Sequence, residues 1–222
     1  MNAEELVSSG RVRGRVSARH APLIRSLGLT DYAVGYDAMR RFTAERGATT
    51  PDELWQLEHP SVYTVGVAAR PEHFPKSSAI PLVHTDRGGQ ITHHGPGQAI
   101  VYTLVDLARR RLTVRGMVSL IEQAVIDLLA ERGITAMRKP GAPGVYVSGA
   151  KIAALGLRVR RGCCYHGVAL NVAMDLEPFS DIDPCGYPGL AVTQTSAHGI
   201  AADAKELGGA LAERIASLLC AR

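Results

Sequence analysis

Three short segments combine residue types that can do covalent chemistry. The first is Asp183-Pro184-Cys185-Gly186-Tyr187-Pro188-Gly189. Cys185 stands between a proline that stiffens the backbone and a glycine that admits a second molecule, a setting that offers a thiol little packing. Such a cysteine can act as a nucleophile if a neighbouring cation or base holds its thiolate. The second is Gly149-Ala150-Lys151-Ile152-Ala153-Ala154-Leu155-Gly156, where Lys151 heads an apolar run. A lysine there either snorkels at a strand end or is drawn partly out of water, and withdrawal disfavours its ammonium form and makes it a usable base. The third, Arg87 to Gln98, holds Gly88, Gly89, Gly95 and Gly97 with the adjacent His93 and His94. It reads either as a tight hairpin or as backbone that approaches a ligand closely.

Several familiar chemistries are excluded. Gly95-x-Gly97 is followed by Ile100 where a dinucleotide fingerprint needs a third glycine, and by a strand rather than a helix. No Gly-Lys-Ser/Thr follows it as in a phosphate-binding loop, and no Gly-x-Ser-x-Gly or papain-like Cys-Gly-Ser-Cys exists. His93 and His94 would face opposite sides of a strand and would not chelate one metal together, so we expect no metal site and no cofactor. One of them is expected to line a pocket and the other to bond within the loop. Cys163 and Cys164 read as core residues of a strand, and Cys220 lies two residues from the C-terminus; the four cysteines form no CxxC pair and no zinc spacing.

These segments need elements to position them. Asp31 caps a helix that runs to Arg46, with Ala33, Tyr36, Met39 and Phe42 as its buried stripe and Gly47 as its stop. LWQLEHP and SVYTVGV read as short strands about a His59-Pro60-Ser61 turn, Pro71 to Pro81 as loop, and PLVHTD as another strand. AIVYTLVDL is a near-continuous apolar run, as in strands buried on both faces. Thr113 caps a helix ending at Gly133, with Val118, Ile121, Val125, Leu128 and Leu129 inward. GVYVSGAKIAALGLRVRRGCCYHGVALNVAM reads as three strands turned at Ser148-Gly149 and Arg161-Gly162. Residues 175 to 199 form a long ordered loop, and Asp203 with Glu206 makes a capping box for a last helix with Leu207, Leu211, Ile215 and Leu218 on its apolar face. Strands joined by tight turns argue against a doubly wound sheet. The expected fold is a single α/β (α+β) domain, a mixed and largely antiparallel sheet flanked by helices. Residues 1–26, with five arginines and no acid after Glu5, read as a basic arm, and 27–222 as the catalytic domain.

Composition agrees with one ordinary globular domain. The 222 residues are 46% apolar and 21% charged, enough for a sizeable core without disulfides or metal. The net charge of +4 permits an acidic partner, while 5% aromatics and no dense basic stripe argue against nucleic acid. No apolar window of membrane-spanning length and no signal-peptide core is present, which leads us to expect a cytoplasmic protein with no membrane partner.

Together the motifs LEHPSVYTVG, DRGGQITHHGPGQAIVYTLVDL, APGVYVSGAKIAALGLRVRRGCCYHGVALNVAMDL and DPCGYPGLAVTQTS resemble the lipoyl(octanoyl) transferases over about Leu54 to Ser196. The resemblance implies the fold of biotin/lipoate protein ligases. It also implies transfer of an octanoyl group from octanoyl-acyl carrier protein to a lysine of lipoyl domains and of the glycine cleavage H protein. It places the acyl-carrying nucleophile on Cys185 and its partner on Lys151. Substrate contacts carry over to Arg87, Gly88, Gly89, Gln90, Ile91, Thr92, His93 and His94, to Ala154, Leu155 and Gly156, and to Gly167, Val168 and Ala169. His93 stands where other members can carry an aromatic residue, Asp181-Ile182-Asp183 is unusually acidic, and the arm before Leu27 has no clear counterpart. Two rival readings remain at this point: an ATP-dependent lipoate–protein ligase of the same superfold, and a non-catalytic module that binds lipoyl or carrier proteins.

Overall fold

A computed structural model of the chain describes residues 20–75, 79–183 and 189–221. Its centre is a seven-stranded sheet built from β1 (Leu23–Leu29), β2 (Glu53–Glu58), β6 (Gln98–Asp106), β7 (Met137–Lys139), β8 (Ala142–Val147), β9 (Ala150–Arg160) and β10 (Cys163–Asn171), in the order β1-β2-β6-β10-β9-β8-β7. Only β1 and β2 are parallel; every other pair is antiparallel. A three-stranded sheet of β3 (Val62–Val65), β4 (Leu82–His84) and β5 (Ile91–His94), in the order β4-β3-β5, completes the mixed architecture. The helices are α1 (Tyr32–Glu45), α2 (Val114–Ala130) and α3 (Ala204–Cys220).

Side-chain alternation along the strands divides the core. Leu54, Val101, Val105, Cys164, Val168 and Leu170 point to one face of the large sheet, where α2 and α3 pack through Met117, Ile121, Val125, Leu207, Leu211 and Ile215. Trp55, Leu57, Ile100, Tyr102, Leu104 and Tyr165 point to the other, against Ala38, Met39 and Phe42 of α1. β6 is buried on both faces, as its continuous apolar run requires. The small sheet has its own cluster of Tyr63, Val65, Ile91, Met174, Phe179 and Ile182.

Local chemistry sets the ends of these elements. Asp31 accepts from the Ala33 and Val34 amides, Thr113 from Gly116, and Asp203 from Glu206, so each helix has the expected N-cap. The two expected hairpins have positive φ at both central residues, Ser148 (48°) and Gly149 (87°), then Arg161 (50°) and Gly162 (79°), the primed turn that suits twisted strands.

The structure also departs from the sequence reading. The α1 stripe is Tyr32, Gly35, Ala38, Met39, Phe42 and Thr43; Ala33 is exposed and Tyr36 half-buried. Val118 of α2 is half-buried, and Leu219 rather than Leu218 is buried in α3. β1 starts at Leu23, ahead of Leu27; β5 lies in the stretch read as a tight hairpin or ligand-approaching backbone but pairs with β3, and β7 forms between the expected helix and strand. All three strands are short or mostly exposed, so hydrophobic periodicity does not mark them. The segments read as loops at 71–81 and 175–199 contain single turns of 3₁₀ helix at Pro71–His73, Glu177–Asp181 and Thr195–His198. Residues 1–19 of the basic arm and residues 184–188, which include Cys185, lie outside the described residues.

Candidate active site

Lys151 lies in β9 opposite Tyr146 of β8 and is 3% exposed. Its Nζ donates to the Pro143 carbonyl at 3.1 Å and sits 5.2 Å from the centre of the Tyr146 ring. Room for this side chain comes from Gly144. A Cβ there would lie 3.0 Å from Lys151 Cε and 2.8 Å from the Ala153 carbonyl oxygen, and φ is +139°. The chain after residue 188 is stitched to the same lysine: its N–H donates to Ala191 O at 2.8 Å, and its carbonyl accepts from Thr193 N–H at 2.9 Å. Before residue 184, Asp183 accepts from His73 Nδ1 at 2.9 Å if the ring carries its proton there. The segment bearing Cys185 is therefore bounded by one anchor at His73 and another at Lys151.

The remaining described cysteines are Cys163, Cys164 and Cys220. Cys164 is fully buried in β10, and burial pushes its thiol up to about 12; burial also raises Cys163. Both behave as packed core residues, as expected from the sequence.

Beside Lys151, β9 continues into the wall of a narrow cavity of about 50 Å³ between the large sheet, α1 and the segment 87–94. Of the substrate contacts carried over by resemblance, all but Gly88 and His93 line it. Gly88 donates its N–H to Leu157 O at 2.9 Å and borders an adjoining groove. His93 points to the opposite side of β5, packs edge-on against Tyr63 and Phe179, and shares a hydrogen bond with Ser61 Oγ at 2.8 Å. The alternation of β5 separates the two histidines as anticipated.

The cavity has additional walls that sequence reasoning missed: Tyr32, Ile100, Tyr102 and His166. Behind them, His59 Nδ1–H donates to Thr30 O at 2.6 Å. That fixes the tautomer, so Tyr102 O–H donates to His59 Nε2, also at 2.6 Å. His94 Nδ1–H donates to Gln98 Oε1 at 2.7 Å, and Gln98 Nε2 is itself held by Asn171 Oδ1 at 2.9 Å. Burial holds His59 down at about 4, and burial followed by the nearby His59 holds His94 well below its ordinary value. Burial raises the Tyr32 and Tyr102 phenols. These groups are neutral at pH 7. The guanidinium of Arg87 is clasped, with Nη2 donating to Thr64 O at 2.5 Å and Nη1 to Gly88 O at 3.0 Å.

Two backbone features shape the wall on β10. A Cβ at Gly167 would lie 1.9 Å from Val101 O, so only glycine lets β10 pass β6 at that point. Its neighbour His166 has φ +61°, a left-handed value rare for a residue with a side chain. Its carbonyl accepts from Thr103 Oγ1 at 3.1 Å and its ring meets Asp86 Oδ1 at 3.1 Å. Asp86 also accepts from Tyr165 O–H at 2.5 Å. Burial works to raise the Asp86 carboxyl, but these hydrogen bonds prevail and hold it well below the usual carboxylate range.

The arrangement is a slot without free charge, suited to an unbranched apolar chain, next to a buried lysine. Residues 31–214 match the model of the lipoyl protein ligase A/B catalytic domain. An octanoyltransferase of Dechloromonas aromatica (strain RCB) is 58% identical over 194 residues, which cover 87% of this chain and 95% of that protein. Among solved structures, a lipoate-protein ligase A bound with ATP superposes with a TM-score of 0.72 at 16% identity, over 90% of this chain and 86% of that one. A biotin protein ligase from Aquifex aeolicus, in complex with biotin and ATP, gives 0.54 at 12% identity over 89% and 70%. These two likenesses bear out the expected fold.

Proposed function

The chain belongs to the lipoyl protein ligase A/B catalytic domain family, within which its curated relatives are octanoyltransferases and hence acyltransferases; from this premise we propose that it moves an octanoyl group from octanoyl-acyl carrier protein to the target lysine of lipoyl domains and of the glycine cleavage H protein. The structural observation that carries the reading is the union, on one strand, of the buried Lys151 and of the Ala154–Gly156 wall of the slot. The slot would receive the eight-carbon chain, whose methylenes each gain about 0.8 kcal/mol on leaving water.

In the first half-reaction the Cys185 thiolate attacks the thioester carbonyl, and Lys151 stabilises or generates that thiolate. The carrier thiol leaves with a proton, and the octanoyl group stays on Cys185 as a new thioester. In the second half the neutral amine of the acceptor lysine attacks this carbonyl. Lys151 takes the proton lost from nitrogen as the amide forms, and the Cys185 thiolate departs. The thioester already carries the activation, so no nucleotide is consumed.

Intact mass after mixing with octanoyl-acyl carrier protein, without ATP and with acid quenching, tests this directly. A hydroxylamine-labile octanoyl adduct, lost in Cys185→Ser, is the expected result. No adduct, with modification of a lipoyl domain only when ATP and free octanoate are supplied, would replace the transferase reading with a ligase.

A further inference from the structure

The acyl slot shares the Gly89-Gln90 and Leu155-Gly156 pairs with a second, larger cavity of about 310 Å³ on the other side of them. β8 pairs with β9 only from Ala150 to Ala153, and the Gly88 N–H meets Leu157 O beyond. The groove occupies this interval. Val114 and Val118 of α2 and Leu157 of β9 give it an apolar floor, and the Gly141–Pro143 backbone forms a rim. Pro143 is the residue whose carbonyl holds Lys151 Nζ. The groove therefore runs from the lysine and the mouth of the acyl slot out to the start of α2.

Its chemistry selects one kind of occupant. Gln90 Oε1, on the wall common to both cavities, is buried with no hydrogen-bond partner among the described residues. A buried acceptor left so is relieved by a ligand N–H. The exposed Arg115 stands next to the lining Val114 at the start of α2. Glu122, which accepts from the Gly144 amide next to the Pro143 rim, is paired with Arg138. The groove thus suits a slender chain with amide N–H groups, apolar carbons and a negative end.

We propose that it holds the phosphopantetheine arm of the acyl donor, with the thioester at the Gln90 wall, an arm amide donating to Gln90 Oε1, and the phosphate at Arg115. This rests on the donor assigned above. The test compares acylation of the enzyme by octanoyl-phosphopantetheine and by S-octanoyl ethanethiol, which keeps the thioester but lacks amides and phosphate. The ratio of their kcat/KM values should fall about tenfold or more in Val118→Phe and Gln90→Leu, the scale of one lost contact of this kind. Arg115→Glu, an exposed change that suits a helix N-terminus and so preserves the fold, should lower the same ratio severalfold. Acylation by both donors with the ratio unmoved in all three variants would overturn the groove assignment alone. A Val118→Phe defect confined to transfer from octanoyl-enzyme to a lipoyl domain would overturn it in favour of the acceptor. Failure of both donors to acylate the unmodified enzyme would remove the transferase reading and the groove assignment together.

Discussion

Two regions of the molecule bury polar side chains, and they meet the cost of desolvation in opposite ways. At the base of the large sheet Asp52 is 2% exposed and fully ionic. It accepts from Arg46 Nη2 at 2.7 Å, Arg109 Nη2 at 2.6 Å, Arg110 Nε at 2.6 Å and the Asp106 amide at 2.9 Å. Burial pushes its carboxyl upward, but the Asp106 amide and the three guanidiniums outweigh this and lower it. Around the slot most polar groups are neutral instead: His59, His94, Tyr32 and Tyr102, joined by hydrogen bonds or stacked rings, while the guanidinium that lines it, Arg87, is held by Thr64 and the Gly88 carbonyl. The first region is a clamp, since Arg110 also donates to Leu219 O and His20 O and so ties α3 and the chain before β1 to the sheet. On the proposed function the second admits an apolar chain, and an unclasped charge there would hold water in its path. The contrast teaches that this fold uses charge to fasten and neutrality to accommodate.

The sharpest break of the contrast is Asp52→Ala. It leaves three guanidiniums facing one another out of water, where the loss of a buried partner costs about 3–5 kcal/mol. Urea unfolding should show a loss of that size. A loss below about 1 kcal/mol would mean that water replaces the carboxylate and that the cluster is not a clamp.

The pH dependence of stability should separate the regions next. A histidine whose folded value is depressed takes up its proton on unfolding, so its contribution is complete above 6.5 and is lost as pH falls from there toward the folded value. His59 and His93 are both held at about 4 by burial. Each shift of this size is worth up to about 3 kcal/mol across that window. The Asp52 contribution has the other sign of group: present above 3.8, it fades only below that pH. Unfolding free energies should therefore fall from pH 6.5 to 4.5, and less steeply in His59→Phe. A flat profile over this range would contradict the neutral, buried state of the histidines.

Much of this was legible from local rules. Asp31, Thr113 and Asp203 cap their helices because a side-chain oxygen next to free amides needs no tertiary partner. Ser148-Gly149 and Arg161-Gly162 turn because few residues accept two positive φ values in succession. The wall of the slot was reached by likeness to a family rather than by spacing, and the missed residues share one property. Tyr102 and His59 are 43 positions apart, and His166 and Asp86 are 80 apart, so these pairs exist only after the sheet has closed. Nothing in Cys163-Cys164-Tyr165-His166-Gly167 announces a left-handed residue inside a strand. Lys151 was visible as an odd cation in an apolar run, but the Gly144 that makes room for it was not, since that depends on the β8–β9 register.

The smallest of these effects tests how the neutral region is held. Tyr102 O–H is the only donor to His59 Nε2 among the described residues, and His59 Nδ1 is committed to Thr30 O. Tyr102→Phe leaves Nε2 buried and unpaired, which should cost about 1–3 kcal/mol in urea unfolding. His59→Phe strands the Tyr102 hydroxyl and should cost a similar amount. The double variant removes both polar ends at once, so its loss should be clearly smaller than the sum of the two. It should also flatten the stability profile between pH 6.5 and 4.5, because His59 no longer titrates. Simple additivity would mean that water enters when either partner is removed, and the slot would then be wet at its base rather than closed by a hydrogen-bonded pair.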